Sequence, residues 1–359
     1  MKKLIFSVAL LSAALSASAE EHPLWMRYPA ISPDGTTIAF AYKGDLYSVS
    51  VNGGEARQLT THAAFDSHPV WSPDSKKIAF QSNREGSLDI FVIDAKGGAP
   101  TRLTTNSGSE TPIAFADNDH VLYSASLQPT AQSIIFGDNT FPQVYKVSTK
   151  GGRPELFSTL TMENISIAKN GDILYHDKKG YEDPWRKHQK SPIARDIWLK
   201  SNGKFAKQTT FAGEDRSPVW TSDEKSFFYL SEQDGTFNIY RRSLNSSSDK
   251  QITHHKGNPV RFLTASSADL LCYGYDGEIY TMKEGGEPQK VNISITTDND
   301  APSLVRQIKS WGATEISVSP DAKEVAFVMH GDVYVTSVEY TTTKRITDTP
   351  QQERDLSFS

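Results

Sequence analysis

Forty residues separate Pro33 from Pro73, and both prolines stand at the same point of one repeated pattern. The pattern is an apolar strand, a Ser-Pro-Asp turn, an Ile-Ala-Phe strand, an Asp-Ile-Tyr strand, a Gly-Gly turn and a final Leu-Thr-Thr strand. The first copy reads Ile31-Ser32-Pro33-Asp34-Gly35, Ile38-Ala39-Phe40, Asp45-Leu46-Tyr47, Gly53-Gly54 and Leu59-Thr60-Thr61. The second reads Trp71-Ser72-Pro73-Asp74, Ile78-Ala79-Phe80, Asp89-Ile90-Phe91, Gly97-Gly98 and Leu103-Thr104-Thr105. Fainter copies follow at Val121-Leu122-Tyr123, Ile173-Leu174-Tyr175, Phe227-Phe228-Tyr229 and Leu271-Cys272-Tyr273, the last preceded by Pro259-Val260. A clear copy returns at Ser319-Pro320-Asp321, Val325-Ala326-Phe327 and Asp332-Val333-Tyr334. Self-similarity at this period is the mark of a repeat architecture.

The residues of the unit explain its shape. Proline presets φ for the second position of a type I turn, and Asp and Gly suit the positions after it. Gly-Gly supplies the positive φ of a tight hairpin. Ile-Ala-Phe and Asp-Ile-Tyr alternate with period two, so each strand offers an apolar row to a neighbouring sheet. A lone four-stranded sheet cannot bury both faces, whereas a ring of them can, leaving only short edges. The expected fold is therefore all-β: a six-bladed β-propeller of four-stranded blades over residues 20–291, a linker over 292–312, and the first blade of a second propeller over 313–359. A two-sheet sandwich is disfavoured, because sandwiches do not carry a sequence repeat of this length. The last residues, Arg354-Asp355-Leu356-Ser357-Phe358-Ser359, read as a strand leading into another turn, so the sequence is expected to belong to a longer protein.

Residues 1–19 stand outside the repeat. Lys2 and Lys3, the apolar run from Leu4 to Leu15 and the small-x-small site Ala17-Ser18-Ala19 form a signal peptide, predicting a soluble, exported, periplasmic or secreted chain. Its removal takes the net charge from −5 to −7, with 36 basic against 43 acidic residues. That acidity argues against nucleic acid as a partner. The single cysteine, Cys272, lies in an apolar strand and reads as a buried, inert thiol.

The repeat region offers no G-x-S-x-G elbow, no H-E-x-x-H and no P-loop. No catalytic residue, cofactor or metal site is assigned. His254-His255 reads as a pair of solvated loop histidines, since adjacent side chains on an extended chain point apart. Asp117-Asn118-Asp119 and Asp298-Asn299-Asp300 lack the glycine and distal glutamate of a calcium loop and read as Asx turns. Two insertions break the period, Ser126 to Pro142 with Ile134-Ile135-Phe136, and Lys178 to Arg195. The second gathers Lys178, Lys179, Arg186, Lys187, Lys190 and Arg195 with Tyr181, Trp185 and His188, against only Glu182 and Asp183. Long ordered insertions on a rigid scaffold often bind ligands. The expectation is a peptide-binding lip, with Arg186, Lys187 and Arg195 catching a carboxylate and Trp185 and Tyr181 stacking on side chains. A solvated loop, or a contact with further domains, is the competing reading.

Three further stretches carry a resemblance. They are His22-Pro23-Leu24-Trp25-Met26-Arg27-Tyr28-Pro29; Trp185-Arg186-Lys187-His188 with Ile193-Ala194-Arg195-Asp196-Ile197-Trp198; and Phe211-Ala212-Gly213-Glu214-Asp215-Arg216. Together with the blades they resemble the N-terminal region of bacterial tricorn-like serine peptidases. The blade motif alone is shared with the periplasmic propeller of the Tol system. The resemblance implies a six-bladed ring, then a seven-bladed ring, a PDZ-like module and a catalytic domain holding the serine nucleophile and histidine beyond this chain. It implies peptides or unfolded protein segments as partners, together with the protein's own C-terminal PDZ-like and catalytic domains, and it allows a homo-oligomer. A stand-alone Tol-like propeller acting as a protein–protein adaptor is the alternative, and a propeller cap on a prolyl-peptidase-type hydrolase is a third.

Overall fold

The computed structural model describes residues 23–127, 141–180, 190–244, 248–296, 310–340 and 342–359. Among them every regular element is a strand. Six four-stranded antiparallel sheets follow one another in chain order, each a simple meander of consecutive strands, and a seventh lies at Glu315–Val318, Glu324–Met329, Asp332–Ser337 and Thr343–Arg345.

The first strands of the six sheets are Arg27–Ile31, Asp66–Trp71, Glu110–Asp117, Met162–Ile167, Asp215–Trp220 and Arg261–Ala265. Each packs against the first strands of its two neighbours, and the strand of sheet six packs against that of sheet one, so the six close a ring with these strands innermost. Apolar clusters fill the wedges between sheets. At the seam, Met26, Phe40 and Val49 of sheet one meet Cys272, Ile279 and Val291 of sheet six. Cys272 is fully buried there, and burial pushes its thiol well above the usual range, as an inert core cysteine requires.

Side chains also tie sheet to sheet. Trp71 Nε1 donates to Ala30 O at 2.8 Å, and Trp220 Nε1 donates to Ser166 O at 3.1 Å, the same bond from sheet two to sheet one and from sheet five to sheet four. Across the seam, Ile31 N–H donates to Thr264 Oγ1 at 3.1 Å. The stretch read as a linker from residue 292 begins with a further tie: Ile293–Ser294 pairs in parallel with Gly54–Glu55, the short strand between the third and fourth strands of sheet one, as a separate two-stranded sheet. Gly53 has φ +82° at this point, and a Cβ on it would lie 2.4 Å from Asn292 O, so this approach requires glycine.

The repeated residues have repeated tasks. In the Ser-Pro-Asp turn, Ser72 Oγ donates to Asp74 Oδ1 at 2.7 Å and accepts from Lys77 N–H at 2.9 Å. Ser319 and Asp321 do the same in sheet seven. The threonine at the Leu-Thr position of the repeat accepts a backbone N–H at the start of the third strand: Leu46 to Thr60, Ile90 to Thr104, Ile197 to Thr209, Ile239 to Thr253 and Val333 to Thr347, all between 2.8 and 3.0 Å.

The inner strands share one feature that the sequence does not announce. A bulge interrupts each of the six, and in five it holds a non-glycine residue at positive φ: Tyr28, His68, Asn164, Ser217 and Phe262. Phe262 is thus the counterpart of Ser217, and Leu263, not Pro259, is that of Pro218, so the sixth copy aligned on Pro259-Val260 is out of register with the fifth.

Candidate functional site

Strand direction assigns the loops to the two faces of the ring. The Ser-Pro-Asp and Gly-Gly turns fall on one face. The links between second and third strands, and between successive sheets, fall on the other. Both insertions join second to third strands, in neighbouring sheets three and four, so both open onto this second face. Tyr181, Trp185, Arg186 and Lys187 lie outside the described residues, as does Ile134-Ile135-Phe136.

Arg195 is described, and its position corrects the expectation that it receives a peptide carboxylate. It is 6% exposed, with Nε bonded to Glu163 Oε2 at 3.0 Å and Nη1 to Glu214 Oε1 at 2.8 Å. Burial works against its charge, but Glu163 and Glu214 outweigh that and hold the guanidinium protonated. Glu214 also pairs with Arg216 at 2.6 Å. His176 completes the cluster: its Nδ1 accepts from Ser217 N–H at 3.1 Å, so Nε2 carries the proton and donates to Glu163 Oε2 at 3.1 Å. Burial holds the His176 pKa below its ordinary value. Glu163 is displaced downward: burial opposes this, and the His176 hydrogen bond, Arg195 and Lys178 overcome it. This interior network clamps sheet four to sheet five.

The lysines of the insertion lie nearer solvent. Lys179 Nζ bonds Ala194 O at 2.6 Å and contacts Asp196, which Lys207 reaches at 2.8 Å. With Lys190, Pro192 and Phe211 they border a shallow cleft of about 440 Å³ between sheets four and five. Asp215, at the start of the inner strand of sheet five, is pushed up to about 7, first by burial and further by Asp196 and Asp249, against hydrogen bonds from Ser231 and Thr209.

Of the two adjacent histidines, His254 is exposed, as a solvated loop residue is, whereas His255 departs from that reading. His255 stacks on Tyr275 at 3.9 Å between ring centroids and shares a 3.0 Å hydrogen bond with Tyr273 Oη. Asp117 and Asn118 behave as turn residues: Asp117 Oδ1 accepts Asp119 N–H at 2.8 Å, and Asn118 Oδ1 accepts Asp74 N–H at 3.0 Å. Among the described residues no group of three or more His, Cys, Asp or Glu side chains is arranged to hold a metal.

Comparison with known proteins places this architecture. Residues 23–288 match the family described as the tricorn protease N-terminal beta propeller domain. Tricorn protease homolog 1 of Streptomyces coelicolor is 25% identical over 322 residues, covering 87% of this chain and 29% of the relative. The tricorn protease of Thermoplasma acidophilum is 24% identical over 342 residues, covering 90% and 30% respectively. The crystal structure of the tricorn protease superposes with a TM-score of 0.64 at 19% identity, over 92% of this chain and 32% of that one. The chain thus spans about three-tenths of the length of these relatives. By the match over most of its length, this chain belongs to the tricorn protease N-terminal β-propeller family.

Proposed function

We propose that this chain is the non-catalytic, peptide-steering propeller region of an exported tricorn-like serine peptidase, and that proteolysis is carried out by a catalytic domain elsewhere in a longer protein. The observation that carries the reading is the family match over residues 23–288, together with the printed names of the relatives, which are proteases. Export rests on Lys2, Lys3, the apolar run to Leu15 and Ala17-Ser18-Ala19. The partners in this reading are peptides or unfolded protein segments, and the protein's own PDZ-like and catalytic domains.

The steering surface in this reading is the face that carries both insertions. Arg186, Lys187 and Lys190 are its cations; Arg195 supports the insertion from beneath through Glu163 and Glu214. The test is made on the protein purified from its source. An intact mass two to three times that of this chain, with peptidase activity, is expected. The triple variant Arg186→Ala, Lys187→Ala, Lys190→Ala is expected to raise KM for peptides with a free carboxylate and leave kcat unchanged. A native mass equal to this chain without its signal would end the enzyme reading, and unchanged KM would end the role of the insertion.

A further inference from the structure

The bulges of the inner strands meet one another. The Phe262 and Tyr28 ring centroids are 4.8 Å apart, and those of Tyr28 and His68 are 3.7 Å apart, although the three belong to sheets six, one and two. On another arc, Asn164 Nδ2 of sheet four donates to Ser217 Oγ of sheet five at 2.9 Å. Equivalent points on neighbouring sheets of a six-membered ring are as far from the axis as they are from each other. These rings therefore lie within 4.8 Å of the axis, near the start of each inner strand and hence toward the face that carries both insertions.

Three features make this more than core packing. Left-handed backbone at a non-glycine residue is strained, and such strain persists where the surrounding structure imposes it and gathers at functional sites. Here it recurs at five equivalent positions, three of them with aromatic rings. Second, the side chains are not sealed in: Tyr28, His68 and Phe262 are half-buried and Asn164 is exposed. Third, the aromatic arc continues outward on the same sheets and the same face. Trp25 is 48% exposed over the sheet-six loop at Gly277, and Phe65 is 51% exposed over the sheet-one loop at Gly44. Burial lowers the His68 pKa to about 4, so its imidazole is neutral at neutral pH, and Arg27 places a cation beside the arc, its guanidinium 5.8 Å from the Trp25 ring centroid.

From this geometry we infer that the axial mouth formed by Trp25, Tyr28, Phe65, His68 and Phe262, opposite Asn164 and Ser217, is a binding site for an extended peptide segment bearing an aromatic side chain. The aromatic side chain stacks on the arc of sheets six, one and two. The peptide backbone meets the amide and hydroxyl of sheets four and five. Stacked and edge-on aromatic pairs favour such a guest beyond the area they bury. The inference rests on the peptide-steering reading and adds to it a side-chain preference and a location distinct from the cationic insertion.

The test is equilibrium binding to the full chain, using fluorescein-labelled, end-capped pentapeptides Gly-Gly-Phe-Gly-Gly and Gly-Gly-Gly-Gly-Gly, so that no terminal charge can engage the lysines. The Phe peptide is expected to bind and the Gly peptide not. Trp25→Ala, an exposed change, and Phe262→Ala are each expected to weaken binding about tenfold, while Lys96→Ala, an exposed change beside the Gly97-Gly98 turn on the opposite face, leaves it unchanged. Thermal melting identifies any variant that has lost its fold, and Trp25→Ala decides the matter if Phe262→Ala does not fold. Equal binding of the two peptides, or wild-type binding by Trp25→Ala and folded Phe262→Ala, overturns the axial site. A reduced, carboxymethylated protein separates the two readings. If it still binds while the Phe peptide does not, peptide steering stands and the axial site falls; if neither binds, both fall.

Discussion

At the scale of single residues, the repeat is a set of small hydrogen-bond devices. The threonine at the Leu-Thr position holds an N–H at the start of the third strand; at Thr253 it also donates to Asn238 Oδ1 at 2.9 Å. Thr253→Val keeps the shape and strands that N–H, so a loss of about 1–3 kcal/mol in urea unfolding is expected. The residue ending the Ser-Pro-Asp turn is left-handed in every clear copy, yet it is Gly35 in the first, Ser75 in the second and Ala322 in the seventh. Ala322→Gly removes the Cβ penalty and is expected to stabilise sheet seven by about 1 kcal/mol, read as slower amide exchange there. Two buried acids set a pH dependence. Asp215 and Glu110 are both raised to about 7, chiefly by burial. Between the ordinary carboxylate range and that value, the folded chain binds protons that the unfolded chain has released. Their contribution is thus complete at low pH and is lost as pH rises through about 7. The double variant Asp215→Asn, Glu110→Gln is expected to flatten the fall in melting temperature between about pH 5 and pH 8. The turn and threonine devices could be read from the sequence because their partners sit within one unit. Arg195 could not: Glu163 and Glu214 lie 32 and 19 residues away in other strands, so a clamp looked like a surface cation.

At the scale of elements, sheets were legible and bulges were not. Alternation and turn residues locate the strands because those patterns act on every copy alike. The bulge is a backbone event that Tyr28, His68, Asn164, Ser217 and Phe262 all perform with different side chains. One trace of it was present: Pro29, Pro69 and Pro218 each follow the bulge residue, and a proline, lacking an N–H, is tolerated where a ladder is already broken. The position of the insertions was also legible in principle, since both fall between a second and a third strand and so must share a face. The clamp between sheets four and five belongs to this scale. Arg195→Ala leaves Glu214 buried beside one cation fewer, and a loss of about 3–5 kcal/mol is expected in chemical denaturation. Lys190→Ala, on the exposed side of the same insertion, is expected to leave stability unaltered.

At the scale of the whole molecule, among the described residues each four-stranded sheet takes its strands from one stretch of chain, so no strand is exchanged there between the first and last to lock the ring. What joins them is the apolar cluster around Cys272, the bond from Ile31 to Thr264, and the short parallel pairing of Ile293–Ser294 with Gly54–Glu55. Gly53→Val, which drives a Cβ into Asn292 O, is expected to release that pairing. The effect should appear as faster exchange of the Gly54 and Ala56 amides, with the sheet interiors unaffected. The consequence reaches into the history of each molecule. Ile31 and Thr264 are 233 positions apart, so one side of the seam is made early in the chain's synthesis and the other late. Sheets two to five can assemble as an open arc from nearest neighbours alone, while one flank of sheet one waits uncovered for a partner that arrives last. Circle closure is then the slow, entropy-limited step of maturation, and it is during that wait that two arcs can join each other instead of themselves.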